Sequence, residues 1–270
     1  MTAAPRRAAV LGSPIAHSRS PQLHLAAYRA LGLSQWTYDR IECAEDALPG
    51  LVAGLGPEWV GLSVTMPGKF AALRVADEAT DRARSVGSAN TLVRTPAGWR
   101  ADNTDVDGVV GALAGVPACT RAAVVGSGGT APAAVVGLIS LGARDVTVIA
   151  RNADKAASLV ELASRGGADA RWADLTDAGL ADAVAGVDVV VNTVPADAVA
   201  PHAPALAVAP VLLDVIYDPW PTPLAAAVQT AGGRVISGLE MLLHQAFAQV
   251  EQFTGMKAPE EAMRAALQRV

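Results

Sequence analysis

The sequence predicts a mixed α/β protein of two domains, and three observations carry that prediction. Short apolar runs alternate with stretches of helical periodicity along the whole chain. In the second half these runs are unbroken Val, Ile and Leu, the pattern of a parallel sheet covered on both faces. A glycine turn, Gly126-Ser127-Gly128-Gly129, lies between such a strand and a helix, close to Arg121 where a second β-α series begins.

The N-terminal series opens with strand Ala8–Leu11, helix Gln22–Leu31 closed by Gly32, and strand Trp36–Ile41. Helix Ala44–Leu55, strand Trp59–Val64 and a helical region over Phe70–Ala76 follow. Ala89–Arg94 and Gly98–Asp102 read as a hairpin through Pro96-Ala97-Gly98. The second series runs through strand Ala122–Val125, the glycine turn, helix Ala133–Leu141 closed by Gly142, strand Val146–Ala150 and helix Ala153–Ser164. Strands Val187–Val191, Val211–Val215 and Arg234–Ile236 complete it, which gives a doubly wound, Rossmann-like sheet. Leu239–Gly255 is a long helix, and Ala258–Val270 a terminal one introduced by Pro259. The run from Asp102 to Gly108 marks one domain crossing and Ser237-Gly238 another. Residues 1–106 with 239–270 are expected as one discontinuous domain, and residues 107–238 as the second.

Composition narrows the class. The chain has 270 residues, 51% apolar and 17% charged, with a net charge of −5. Nucleic acid is not expected as a partner, because it would require a basic face. A few local cations still suffice for a small anion. Cys43 and Cys119 form neither a disulfide framework nor a metal spacing. His17, His24, His202 and His244 contain no i,i+4 pair, so no metal is expected. No stretch approaches the roughly 20 uncharged apolar residues of a membrane span. The apolar run after Arg6-Arg7 is too short for an export signal and is interrupted by Pro14. A cytoplasmic protein, monomeric or homodimeric, is expected.

Gly126, Gly128 and Ala131 fit the G-x-G-x-x-G/A pattern at a strand-to-helix turn. The first glycine permits the turn, the second lets the backbone approach a pyrophosphate, and Ala131 allows close helix–strand packing. The helix start, with Ser127, Gly129 and Thr130, then faces an anion with free N–H groups. Pro132 falls in the first turn, where its missing N–H costs little. A chain preferring NAD would carry Asp or Glu at the end of the next strand. Here that position reads Ala150-Arg151-Asn152, with Lys155 one turn on. A cation there can pair with a 2′-phosphate. As solvated surface groups, Arg151 and Lys155 would oppose the helix dipole. The combination predicts a dehydrogenase using NADP(H).

Polar residues also gather in the N-terminal series. Ser18 and Ser20 can donate paired hydrogen bonds to a carboxylate; Ser20 before Pro21 equally reads as a helix cap. Lys69 follows a Pro-Gly turn at the end of a strand. There it can polarise a carbonyl or transfer a proton, or it can be a surface lysine. Asn90 can donate and accept toward a hydroxylated ligand, and Asp105 can pair with Lys69. Turn chemistry accounts for Asn and Asp singly but not for the ensemble.

Together these segments resemble the shikimate dehydrogenase family over essentially the full chain. They are Pro14-Ile15-Ala16-His17-Ser18-Arg19-Ser20-Pro21, Ser63-Val64-Thr65-Met66-Pro67-Gly68-Lys69, Ala89-Asn90-Thr91, Asn103-Thr104-Asp105, the glycine loop, Asp214-Val215-Ile216-Tyr217-Asp218-Pro219, and Gly238-Leu239-Glu240-Met241-Leu242-Leu243-His244-Gln245-Ala246. The resemblance implies reversible reduction of 3-dehydroshikimate to shikimate by NADPH, a step of aromatic amino-acid biosynthesis. It implies a carboxylate on Ser18 and Ser20, and ring hydroxyls on Thr65, Asn90, Asp105 and Gln245, with Ser63 and Tyr217 nearby. Lys69 and Asp105 would be the catalytic pair, and Gly238 would border the nicotinamide through its backbone. Asn192 and Thr193 join Asn152 and Lys155 as further cofactor candidates. Substrate and cofactor on different domains would imply a cleft that closes. Ser63 and Ala150 stand where the family often has Asn, Gly68 where a bulkier residue is usual, and Pro132 where Arg is frequent. Two alternatives compete with this expectation. An NAD-using quinate/shikimate dehydrogenase would need an acidic residue near position 150. A ligand-sensing paralogue without turnover would lack Lys69 or Asp105.

Overall fold

The computed structural model describes residues 5–117 and 119–268. The chain divides into two compact units. One takes the chain up to Thr104 and from Leu242 onward; the other is Asp105–Met241.

The first unit opens with β1 (Arg6–Gly12), α1 (Ser20–Ala30), β2 (Trp36–Glu42), α2 (Leu48–Ala53) and β3 (Trp59–Val64). It continues through α3 (Lys69–Val75), β4 (Glu78–Ala79), α4 (Asp81–Val86), β5 (Thr91–Thr95) and β6 (Gly98–Asp102). The sheet order is β2-β1-β3-β5-β6-β4. Strands β2, β1 and β3 run parallel, while β5 is antiparallel to both β3 and β6. Successive residues of β1 face opposite ways. Ala8 and Val10 join a cluster with Leu23, Tyr28 and Phe247, whereas Ala9 and Leu11 join one with Leu48, Leu62 and Trp99.

The register pairs Leu11 with Val64, so the loops leaving β1 and β3 start side by side. Thr65 N–H donates to Leu11 O at 2.8 Å, and Ser13 N–H donates to Met66 O at 3.0 Å. Gly12 permits this approach: a Cβ there would clash with Thr65 Cγ2 and lie 2.9 Å from Met66 O.

The second unit begins with α5 (Asp105–Leu113), β7 (Arg121–Val125), α6 (Ala131–Ser140), β8 (Asp145–Ile149), α7 (Ala153–Arg165) and β9 (Asp169–Ala173). Then come α8 (Leu180–Val184), β10 (Val189–Asn192), α9 (Ala196–Val199), α10 (Ala203–Leu206), β11 (Val211–Asp214), α11 (Pro223–Thr230) and β12 (Arg234–Ser237). All neighbouring strands are parallel, in the order β12-β11-β10-β7-β8-β9. The winding direction reverses between β7 and β10, the switch point beside which α/β sheets bind ligands. Ala122 and Val124 pack into one apolar cluster and Ala123 and Val125 into another, which explains why β7 reads as unbroken apolar sequence.

Helix α12 (Gly238–Thr254) follows β12 directly, and α13 (Glu260–Leu267) ends the described chain. The last two residues of the expected terminal helix lie outside the described residues. The helix expected over Ala44–Leu55 is confined to Leu48–Ala53, because Pro49 sets its start in the first turn. The helix expected from Phe70 begins one residue earlier and takes in Lys69.

Candidate active site

Ser18 and Ser20 are set by the turn after β1. Arg40 donates from Nε and Nη2 to Ser18 O at 2.9 and 2.6 Å, and Ser13 Oγ donates to Glu42 at 2.6 Å. Ser20 does not cap α1. It is the first helical residue, Arg19 stands before it, and Ser18 Oγ accepts from Ser20 N–H at 3.3 Å. Ser18 is half-buried and Ser20 is buried.

Asn90 is buried at the head of β5, and its amide orientation follows from its partners. The Thr104 backbone N–H donates to Asn90 Oδ1 at 2.7 Å, so that atom is the oxygen. Thr91 Oγ1 donates to the same oxygen at 2.8 Å. The amide nitrogen therefore faces Thr104 Oγ1 at 3.0 Å and Gln245 Oε1 at 3.4 Å. Gln245, one turn into the C-terminal part of α12, donates its own amide to Leu242 O at 2.8 Å. The pair thus presents a donor from Asn90 and an acceptor from Gln245. The expected two-way role of Asn90 narrows to donation, because its oxygen is filled by the protein.

Ser63, expected near a bound ligand, sits at 4% exposure with its hydroxyl engaged on both sides. It donates to Gln249 Oε1 and accepts from Tyr38 Oη, each at 2.6 Å. Thr65 follows β3 and is half-buried. Lys69 is the first residue of α3 and 9% exposed, and its carbonyl accepts from Ala89 N–H at 3.0 Å, which ties it to the Asn90 segment. Asp102 ends β6 as a hub, accepting from Arg82 at 2.6 Å, Thr80 at 2.7 Å and Gln252 at 2.8 Å. Burial alone would raise its pKa, but the Arg82, Thr80 and Asn103 donors outweigh that and hold it below the ordinary value.

In the second unit, Asp105 is the first residue of α5 and 6% exposed, with Asp107 in the same turn, where acids suit the helix dipole. Tyr217 lies half-buried in the loop after β11. Gly126 has φ +111°, and a Cβ there would clash with Thr193 and meet Val194 at 3.0 Å. A Cβ on Gly128 would meet nothing within 4 Å, so the backbone there is open to an incoming group. Ala131 is fully buried as α6 begins. These features fit a pyrophosphate cradle.

Arg151 is exposed at the end of β8 and makes no hydrogen bond or ion pair with another described residue. Ala150 before it is held on both sides: its N–H donates to Ala173 O at 3.1 Å and its carbonyl accepts from the Trp172 indole at 2.9 Å. Asn152, expected at the cofactor, is the N-cap of α7 and accepts from Lys155 N–H at 2.8 Å. Asn192, also expected there, is fully buried. Its amide bridges Val194 O at 3.1 Å and Asp214 Oδ1 at 2.9 Å. Thr193 donates its hydroxyl to Val125 O at 2.8 Å, bracing the glycine turn from the next strand.

Asp214, to which the sequence assigns no individual role, is fully buried at the end of β11. It accepts from Thr222 at 2.5 Å, Asn192 at 2.9 Å and Ile216 N–H at 3.2 Å, joining the ends of β10 and β11 to the start of α11. Burial raises its pKa against these donors. Gly238 packs against the backbone of Val215 so closely that no Cβ fits. Among the described residues no group of three His, Cys, Asp or Glu could hold a metal, and no helix is long and apolar enough to cross a membrane.

Known proteins match this chain over nearly its whole length. The family profile described as the shikimate dehydrogenase substrate binding domain matches residues 10–92, and the shikimate 5′-dehydrogenase C-terminal domain matches residues 238–268. A protein named shikimate dehydrogenase (NADP(+)) from Methylobacterium radiotolerans is 38% identical over 272 residues, covering 94% of this chain and 93% of its own. The crystal structure of Mycobacterium tuberculosis shikimate dehydrogenase is 70% identical, with a TM-score of 0.95 over 98% of this chain and 100% of that one. Shikimate 5-dehydrogenase from Thermus thermophilus, solved with NADP(H) and shikimate, is 28% identical with a TM-score of 0.81 over 98% of this chain and 99% of that one.

Proposed function

The chain belongs to the shikimate dehydrogenase family, and from that premise we propose that it reduces 3-dehydroshikimate reversibly to shikimate with NADPH. The observation that carries the proposal is the near-complete match to shikimate dehydrogenases in a chain that retains Lys69, Asp105, Asn90 and Gln245. NADPH supplies the hydride when bound. Gly126, Gly128 and the start of α6 would hold its pyrophosphate, and Arg151 with Lys155 its 2′-phosphate.

Every other step belongs to the protein's own side chains. Negative charge grows on the carbonyl oxygen as the bond is reduced. The Lys69 ammonium stabilises that charge and delivers the proton from Nζ. Asp105, directly after the Thr104 that Asn90 anchors, takes the second catalytic role as acceptor for a ring hydroxyl. Ser18 and Ser20 hold the carboxylate, and Thr65, Asn90, Gln245 and Tyr217 position the ring. Asn152, Asn192 and Thr193 shape the cofactor side by bracing its loops. A cytoplasmic location and a monomeric or homodimeric state belong to the same proposal.

The test is NADPH formation from shikimate and from quinate, measured side by side. Rapid formation from shikimate with slow or no formation from quinate supports the assignment. Turnover of neither substrate, or a preference for quinate, overturns it.

A further inference from the structure

Beneath Asn90 and Ser63 lies a buried hydrogen-bond network that no catalytic or substrate role absorbs. At its centre is Gln249, fully buried on α12 one turn beyond Gln245. Its donors and acceptors are assigned without ambiguity. Gln249 Nε2 lies 3.1 Å from Asn90 O, a carbonyl that can only accept, so that atom is the nitrogen. The same nitrogen donates to Thr91 Oγ1 at 2.9 Å. Gln249 Oε1 must then accept from Ser63 Oγ at 2.6 Å and from His24 Nε2 at 3.3 Å. With its proton given to Gln249, Ser63 can only accept from Tyr38 Oη at 2.6 Å. Thr91, receiving from Gln249, passes its own proton to Asn90 Oδ1 at 2.8 Å.

One amide therefore bears on two groups. Ser63 is left with acceptor capacity only, and through Thr91 a second donor is added to the Asn90 oxygen that the Thr104 N–H already holds. The environment fixes these directions firmly. His24 stacks on Tyr38 at 4.0 Å, and burial keeps the imidazole neutral, with its pKa lowered to about 3 against the opposing Gln249 bond. A neutral His24 donating from Nε2 cannot reverse the network, and in a buried site each bond is costly to leave unmade.

We infer that Gln249 is a positioning residue of the substrate site, fixing Ser63 as an acceptor and reinforcing, through Thr91, the donor orientation of Asn90, without touching the substrate. The inference rests on the proposed shikimate dehydrogenase activity. It also gives a physical account of the serine at position 63. Its hydroxyl is held between Tyr38 and Gln249.

The test uses the full-length enzyme and Gln249→Met, which keeps length and volume but loses all four hydrogen bonds. The KM for shikimate is expected to rise about tenfold or more, with a much smaller fall in kcat and little change in the KM for NADP+. Tyr38→Phe removes one hydroxyl and keeps the test open should Gln249→Met fold poorly; it is expected to raise the shikimate KM several-fold. In a Ser63→Ala background the effect of Gln249→Met should shrink, because the two act on one unit. Val250→Ala, in the apolar core beside it, reports simple destabilisation and should leave the ratio of the two KM values alone. A fall in melting temperature with an unchanged KM ratio in both Gln249→Met and Tyr38→Phe overturns the inference. Absence of shikimate turnover in the wild-type enzyme would instead overturn the proposed activity.

Discussion

The Asn90 amide donates to Gln245 Oε1 across 3.4 Å, while Gln245 returns its own nitrogen to Leu242 O of the same helix at 2.8 Å. The bond between them is long and readily exchanged for one to a hydroxyl lying between the two groups. Asn90→Ala and Gln245→Ala should each raise the KM for shikimate about tenfold or more, the scale of a lost buried hydrogen bond. Steady-state kinetics with saturating NADP+ measure this. If the KM for shikimate stays at the wild-type value in both variants, the pair does not hold the substrate.

Lys69 occupies the first turn of α3, buried and tied through its carbonyl to Ala89. In the proposed mechanism, loss of its ammonium would remove charge stabilisation and the proton donor together. Lys69→Ala should lower kcat by about 10²- to 10⁴-fold with only a modest change in shikimate affinity. An unchanged kcat, measured at saturation on folded protein, would take Lys69 out of the chemistry.

Asp102 joins α4, β6 and α12 through Arg82, Thr80 and Gln252. Its pKa is held below the ordinary 3.8. The stabilisation it adds is therefore present above about pH 4 and is lost as the pH falls through the depressed value. Asp102→Ala should cost about 3 kcal/mol near neutrality, since it removes the carboxylate that Arg82, Thr80 and Gln252 share. Urea unfolding near neutral pH and again near pH 3 checks the sign: the difference from wild type should narrow in acid. A difference independent of pH would show that the carboxylate charge is not the source.

Gly238 opens α12 against the Val215 backbone. The obstacle is main chain, which cannot rotate away as a side-chain tip can. Gly238→Ala should destabilise by about 1–3 kcal/mol and shift the start of α12. Thermal unfolding and a crystal structure of the variant would test this; wild-type stability with an unmoved helix start would refute it.

Legibility in the sequence followed burial. Strands such as β7 and β3 were readable because both faces are covered, so their apolar runs are continuous. The edge strand β9 is not legible in the sequence, since Asp169, Arg171 and Trp172 face solvent and interrupt the pattern. Helix α4 is short and charged, and α11 announces itself only through Thr222, which caps it by accepting from Ala225 N–H. The motifs pointed to Ser18, Asn90, Lys69 and Arg151 as single residues. The partners of those residues were hidden by distance along the chain. Ser63 and Gln249 are 186 positions apart, and nothing in either segment alone reveals that one steers the other.

The most direct measurement is the initial rate of 3-dehydroshikimate reduction with NADPH and with NADH, on the wild-type enzyme and on Arg151→Ala. The wild type should favour NADPH strongly. Arg151→Ala should raise the KM for NADPH about tenfold or more and leave the KM for NADH nearly unchanged, because only the 2′-phosphate loses its partner. Equal or faster use of NADH by the wild-type enzyme, or an equal effect of Arg151→Ala on both cofactors, would contradict the assignment.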